Sequence, residues 1–347
     1  MLNHPTDQEP RRARTVAMSL LLCYVAFLLL NLRAPKQLTP WGYKWAARAT
    51  AAACHALGTL LGIRFTMKFG TVPPEPCLAC VSPHGVFPLS LIGFGMWKFV
   101  GRAGSYSEPD LVKLDARAGG ASILFRIPIL RELLLLANVR DAAQENLVRL
   151  LATGRTVAVN PGGNWEMTNM SHTQERIYVQ KRLGFIVRAS WIPARHLRFR
   201  TDLCARSYLR ASCQRLAMQT GRPLLPAYAF GESQLYRTYS FLKELRLQIV
   251  RKYRIGVPLF TGRWGLPLPL PIPTDVTFVV GDQIPVGPPN ADPSDDEVDA
   301  VFERYVDEMC RLFTENAPKH LPTEVAARGL EVHRIGHGLV RHVHCKL

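Results

Sequence analysis

Two apolar stretches open the chain, and beyond them short apolar runs alternate with amphipathic segments. Val16 to Leu30 is an apolar run of fifteen residues, with Arg11, Arg12 and Arg14 before it and Arg33 and Lys36 after it. As a helix it would measure about 22 Å, short of the roughly 30 Å hydrocarbon core of a bilayer. Ala49 to Ile63 is equally long and is broken at His55 and Gly58. Between them, Asn31 to Arg48 carries Pro35, Pro40, Trp41, Tyr43 and Trp45. Proline marks a turn, and Trp and Tyr favour the membrane interface. The pattern predicts a basic tail over 1–15 and a membrane-embedded helical hairpin over 16–63 that dips into the bilayer, with full crossing left open. A signal peptide would need a small-x-small cleavage site, and none is convincing. Two buried core helices are the remaining alternative.

From Pro73 onward the pattern is that of an α/β body. Leu78 to Val81 reads as a short buried strand, ending at Ser82-Pro83-His84-Gly85. Asp141 to Gly154 reads as a helix capped by Asp141, with Leu147, Leu150 and Leu151 on one face. Thr156 to Val159 reads as a strand running into Asn160-Pro161-Gly162-Gly163, and Leu224 to Phe230 and Thr277 to Val280 as further strands. A last helix is predicted behind Asp292, with Pro293 in its first turn and Asp295, Asp296 and Glu297 complementing its dipole. Val298, Val301, Phe302, Tyr305, Met309, Leu312 and Phe313 form its apolar stripe. Strands alternating with helices predict a mainly parallel sheet flanked by helices. Pro258 to Pro273, dense in proline and holding Trp264, reads as extended or irregular: a membrane-facing or substrate-lining loop, or a plain surface loop.

The formal charge of +16 asks for an anionic partner. No nucleic-acid motif is present, and basic residues flank the most apolar segment, so the charge points to anionic membrane lipid rather than nucleic acid. Eight cysteines show no disulfide framework; Cys77-x-x-Cys80 lacks a second pair, so no metal is expected and the thiols read as reduced and cytosol-facing.

His84 sits where a buried strand ends, the place where open α/β sheets bind ligands. Pro83 stiffens the approach, Gly85 lets a substrate near the backbone, and a histidine there can take a proton from a hydroxyl. Taken alone, a structural histidine is the commoner case. Asn160-Pro161-Gly162-Gly163-Asn164-Trp165-Glu166 also follows a strand directly. Its paired glycines would free backbone N–H groups for an oxyanion, or simply make a tight turn. Glu166 would orient the His84 imidazole, bind the acceptor, or stay solvated.

Pro83-His84-Gly85, Asn160-Pro161-Gly162-Gly163-x-x-Glu166, Arg182-x-Gly184-Phe185 and Pro226-x-x-x-Phe230-Gly231-Glu232, in this order, resemble the diacylglycerol acyltransferase type 2 family. That family includes monoacylglycerol and wax-ester relatives and belongs to the lysophospholipid acyltransferase group. The likeness continues through Gly262-Arg263-Trp264-Gly265 and Val279-Val280-Gly281-Asp282-x-Ile284 to the last helix, covering about residues 15–320. It implies a glycerolipid acyltransferase-like domain over 64–320, with acyl-CoA as co-substrate, diacylglycerol or a related neutral lipid as acceptor, and no cofactor. His84 and Glu166 would be catalytic. Pro83, Gly85, Asn160, Pro161, Gly162, Gly163, Arg182, Gly184 and Phe185 would bind substrate. It also implies an endoplasmic reticulum membrane protein whose catalytic domain faces the cytosol, with lipid droplets as a second location. The oligomeric state is not readable.

Two departures bear on substrate. Phospholipid-making relatives carry Asp five residues after the histidine, where this chain has Leu89, which turns the expectation toward neutral-lipid acceptors. Ser82 stands where the family usually has His or Glu. In addition, the third block is interrupted. Ile186 would join smoothly to Arg215, and Val187 to Gln214 intervene with Arg188, Arg195, Arg198, Arg200, Arg206 and Arg210 against Asp202 alone. A surface insertion and an in-frame retained intron are both open. Residues 321–347 are expected to be a disordered tail. Acyl transfer to diacylglycerol is the leading expectation; transfer to monoacylglycerol, fatty alcohol or sterol is the nearest rival, and an inactive lipid-surface protein is the alternative of another class.

Overall fold

The computed structural model describes residues 8–69, 75–100, 116–180, 212–253, 255–335 and 337–344. Arg182, Gly184, Phe185 and most of the interruption lie outside the described residues.

The hairpin begins with α1 (Gln8–Leu30), whose 23 residues amount to about 34 Å. The helix takes in the polar residues ahead of the apolar run, so it is longer than the roughly 22 Å that the run alone predicts. Residues 12–36 are long and apolar enough to cross a bilayer. Nearly every described α1 side chain is exposed, which removes the reading of a buried core helix. The second helix, α2 (Lys44–Leu60), buries Ala47 and Ala51 against the body and leaves Trp45, Leu57 and Leu60 outside.

The body is built on a seven-stranded sheet. In chain order its strands are β1 (Ile63–Phe69), β2 (Leu78–Ser82), β3 (Arg117–Gly120), β4 (Val139–Asp141), β5 (Val157–Val159), β7 (Leu224–Phe230) and β10 (Thr274–Val280). The spatial order is β1-β10-β7-β2-β5-β3-β4, parallel throughout except where β10 meets β7. The centre is therefore β7-β2-β5, with Leu78 level with Leu224 on one side and Val157 on the other. Parallel neighbours end at the same edge, so the turns after these three strands share one place.

Alternation along these strands divides two cores. Leu78, Cys80, Val157, Val159, Tyr228 and Phe230 face one side, with α5 (Gln144–Ala152), α7 (Cys213–Thr220) and α9 (Asp295–His320). Ala79, Val81, Ala158, Ala227 and Ala229 face the other, toward α2, α3 (Leu89–Val100) and α4 (Leu130–Leu136). The alanine face lets α3 approach closely: a Cβ on Gly95 would stand 3.0 Å from Ala118 Cβ.

The expected α9 stripe is buried throughout. Its cap is Ser294, in a reciprocal capping box with Glu297, and not Asp292; Pro293 lies ahead of the helix. Asp141 likewise ends β4 instead of capping α5, although its Oδ1 accepts the Ala143 N–H at 3.0 Å. Ser212 caps α7, and Cys213 and Gln214 are buried in it, so the body resumes before Arg215.

The disordered tail expected over 321–347 is corrected as well. Residues 323–328 form α10 (Thr323–Arg328), followed by β11 (Leu330–Ile335) and β12 (Gly338–Val343). β11 runs parallel to β6 (Glu175–Gln180) and antiparallel to β12. Leu330 and Val332 are fully buried, and Arg334 and Arg341 pair with Asp299 and Asp307 of α9. Apolar burial and charge matching order it.

Candidate active site

His84 leaves β2 through a cis Ser82–Pro83 peptide and is half-buried. Its backbone N–H donates to Glu166 Oε1 at 2.7 Å. Its Nδ1 lies 3.0 Å from the Gly85 carbonyl oxygen. A carbonyl only accepts, so Nδ1 carries the proton and Nε2 presents its lone pair. Burial lowers the His84 pKa, which keeps the ring neutral near pH 7. The orienting partner is thus a backbone carbonyl. Leu89, where an acid was absent from the sequence, opens α3 and packs beside Val86, Leu235 and Tyr236.

Glu166 belongs to α6 (Gly163–Asn169) and is fully buried. Its Oε1 holds the His84 N–H, and its Oε2 accepts the Tyr178 N–H of β6 at 3.4 Å. Burial pushes its pKa up to about 8 against the pull of these two bonds. The expectation that Glu166 orients the imidazole is corrected: both of its oxygens accept backbone N–H groups, one of them that of His84, so it holds the backbone of the histidine turn. Gly162 makes room for it. A Cβ there would overlap the Glu166 side chain and the Tyr178 carbonyl. Asn160 donates from Nδ2 to the Val81 carbonyl at 2.8 Å, tying the ends of β5 and β2 together. Pro161 is buried in the same turn.

A second buried carboxylate supports the other side of the loop. Glu232 follows β7 and Gly231. Its Oε1 accepts the Leu89 N–H at 2.8 Å, and its Oε2 accepts the Ser90 N–H at 3.2 Å and the Ser90 hydroxyl. It therefore caps α3 from across the sheet. Burial raises its pKa to about 7. Gly85, at φ +68°, passes close by: a Cβ on it would stand 2.9 Å from Glu232 Cγ. Beside this turn Phe87, Tyr236 and Phe260 pack edge to face, at centroid distances of 5.1 to 5.7 Å.

The structure thus brings together His84, Gly85, Asn160, Gly162 and Glu166. Glu232 was missing from the expected site although its motif was read. The signal was available, since it follows a central strand just as His84 and Asn160 do.

A neutral imidazole at the convergent ends of three parallel strands, held from below by buried carboxylates, defines an α/β protein equipped for proton transfer at one edge of its sheet. The diacylglycerol acyltransferase family model matches residues 13–195 and 208–326, and the chain belongs to that family. The match leaves 196–207 out, a shorter break than the 187–214 expected. The chain is 26% identical over 259 residues to mouse diacylglycerol O-acyltransferase 2-like protein 6, covering 69% of this chain and 65% of that protein. It is 27% identical over 208 residues to Saccharomyces cerevisiae diacylglycerol O-acyltransferase 1, covering 56% of this chain and 42% of that protein. With human acyl-CoA wax alcohol acyltransferase 2 it shares 26% identity over 263 residues, 71% of this chain and 67% of that protein. The chain spans less than two thirds of the length of the mouse and yeast relatives.

Proposed function

We propose that the chain transfers a fatty acyl group from acyl-CoA to the free hydroxyl of diacylglycerol, forming triacylglycerol and free CoA. His84 Nε2 takes the hydroxyl proton as the oxygen attacks the thioester carbonyl. Collapse of the tetrahedral intermediate breaks the C–S bond, and the imidazolium returns the proton to the departing thiolate. Acyl passes directly to the acceptor, with no acyl-enzyme and no cofactor. Glu166 and Glu232 hold the turn that carries His84.

The observation that carries this reading is the place of His84 at the end of β2, with Nδ1 3.0 Å from the Gly85 carbonyl oxygen, an arrangement that leaves Nε2 to accept a proton. The apolar cluster of Phe87, Tyr236 and Phe260 beside it suits a lipid acceptor. We place the protein in the endoplasmic reticulum membrane or on lipid droplets, with the body on the cytosolic side. A fatty alcohol is the second reading, because the human wax alcohol relative matches at comparable identity and over more of its length. Membranes containing the chain, given labelled acyl-CoA and a panel of acceptors, separate the readings. Triacylglycerol as main product supports the first, and wax ester the second. Absence of product with every acceptor, alongside membrane binding, would leave an inactive lipid-surface protein.

A further inference from the structure

The loop between β9 (Phe260–Thr261) and β10 presents a large apolar tip that the catalytic reading does not use. Trp264 is 76% exposed, and Leu266 and Leu268 are 45% exposed each. The tip is rigid. The Gly262 N–H donates to the Leu266 carbonyl at 2.8 Å, and the Arg263 N–H to the Leu270 carbonyl at 2.9 Å. Gly262 allows this fold, because a Cβ there would overlap the Leu270 carbonyl oxygen. Trp264 itself sits at φ 60°, ψ 16°, a left-handed conformation unusual for a bulky residue. A rigid loop that holds a tryptophan ring out from the surface needs an apolar or interfacial environment to offset its hydration.

The neighbourhood identifies that environment. Arg263 donates from Nη2 to the carbonyl of Leu61, the residue ending α2. Thr274 N–H donates to the Gly62 carbonyl at 3.2 Å, and a Cβ on Gly62 would stand 3.0 Å from Pro273. The loop is therefore fastened to the end of the membrane hairpin, where Leu60 is 81% exposed. The Arg263 guanidinium lies 5.7 Å from the Trp264 ring centre, and the exposed indole is suited to the interfacial layer of a bilayer.

We propose that residues 262–268 insert into the bilayer beside α2 as a second membrane contact, with Trp264 at the interface and Leu266 and Leu268 deeper. The loop extends inward to the catalytic turn: Tyr236 Oη donates to the Pro269 carbonyl at 3.2 Å, and Tyr236 packs on Phe87. Insertion would place the aromatic cluster beside the membrane from which a neutral lipid arrives. The contact rests on the membrane setting of the hairpin, whichever acceptor is used.

The test uses the full chain in phosphatidylcholine nanodiscs, with Cys23, Cys54, Cys204 and Cys345 replaced by serine. One environment-sensitive label is placed through Trp264→Cys, or through Leu266→Cys in a second preparation that keeps the tryptophan. Controls carry Leu22→Cys in α1 or Glu315→Cys on α9. The loop labels should be quenched by nitroxides on the acyl chains and protected from aqueous iodide, as at position 22, while position 315 behaves in the opposite way. Iodide quenching at both loop positions, with position 22 in lipid, would overturn the proposal. Iodide quenching at position 22 as well would remove the membrane setting and the proposal with it.

Discussion

The backbone N–H of His84 and the Oε1 of Glu166 meet at 2.7 Å, joining residues from two parallel strands' ends. This bond fixes where the ring starts, so Glu166 acts through position. Glu166→Ala should lower kcat on the order of 10²-fold with little change in KM for acyl-CoA, because a small displacement of a reacting group has that cost. Glu166→Gln keeps an oxygen acceptor and should recover most of the rate. Equal loss in both variants would show that an oxygen acceptor at this place is not what holds the histidine turn. Steady-state kinetics in detergent micelles measures this.

The same carboxylate sets a pH dependence of stability, with a sign opposite to that of a salt-bridged acid. Folding raises Glu166 from 4.5 to about 8 and Glu232 from 4.5 to about 7. Over that window the folded chain keeps protons that the unfolded chain has released, so stability falls as pH rises. Each group steepens that fall while its folded form stays protonated and its unfolded form does not. Thermal unfolding should therefore shift to lower temperature between about pH 4.5 and about pH 8, and Glu166→Gln should flatten the slope. A variant with the parent's slope would refute the assignment.

For His84 the pH effect acts on rate. Burial lowers its pKa below the ordinary 6.5, so the acid limb of kcat/KM should lie below that of a free imidazole. Activity should fall as pH drops through that value and the ring gains a proton. His84→Ala should reduce turnover by roughly 10²- to 10⁴-fold, the usual contribution of a general base. A profile that shows no acid limb, or retained acyl transfer in the variant, would remove His84 from the chemistry.

Much of the site was legible because a parallel sheet makes it so. Leu78–Val81, Thr156–Val159 and Leu224–Phe230 were readable as apolar runs, and the residues after them were bound to converge. What each carboxylate touches was not legible. Glu166 is 82 positions from His84 and Glu232 is 143 from Leu89, and no local pattern encodes such pairings. The tail failed as an expectation for the same reason. Its strand completes β6, with Arg176 and Glu331 paired across 155 positions, and its alternating His and Arg residues looked solvent-bound in isolation. The first helix is longer than its apolar run predicts, because α1 continues through Arg12 and Arg14.

Gly85 tests the second carboxylate. At φ +68°, with Glu232 Cγ 2.9 Å from where a Cβ would stand, Gly85→Ala meets both backbone strain and a side chain that must shift. The left-handed conformation alone costs about 1–2 kcal/mol. Displacing Glu232 would also uncap α3, so the variant should lose stability and rate together. Glu232→Ala, which removes the obstruction and the cap, should lose stability while leaving the left-handed turn unstrained. Combining the two should cost less than the sum, because the clash disappears once Glu232 is gone. Additive losses in unfolding experiments would mean that the two residues do not interact.

The hairpin is held to the body through a buried arginine, which gives a last expectation. Arg140 in β4 is fully buried and donates from Nε to the Gln37 carbonyl at 3.2 Å and from Nη2 to the Thr39 carbonyl at 2.9 Å. Both carbonyls lie in the link between α1 and α2. A guanidinium fork can serve both at once, and an ammonium cannot. Arg140→Lys should therefore release the link without deleting the charge, at about 1–3 kcal/mol for the carbonyls left without a donor. Near the link, Tyr24 still bonds Glu132 at 2.8 Å, so the end of α1 should stay docked while residues 37–40 become accessible to protease. Protease resistance equal to that of the parent chain would show that Arg140 is only filling space at the sheet edge. Cleavage in the link, with the body intact and acyl transfer to detergent-dispersed acceptor retained, would establish that the arginine holds the link to the body without taking part in the chemistry.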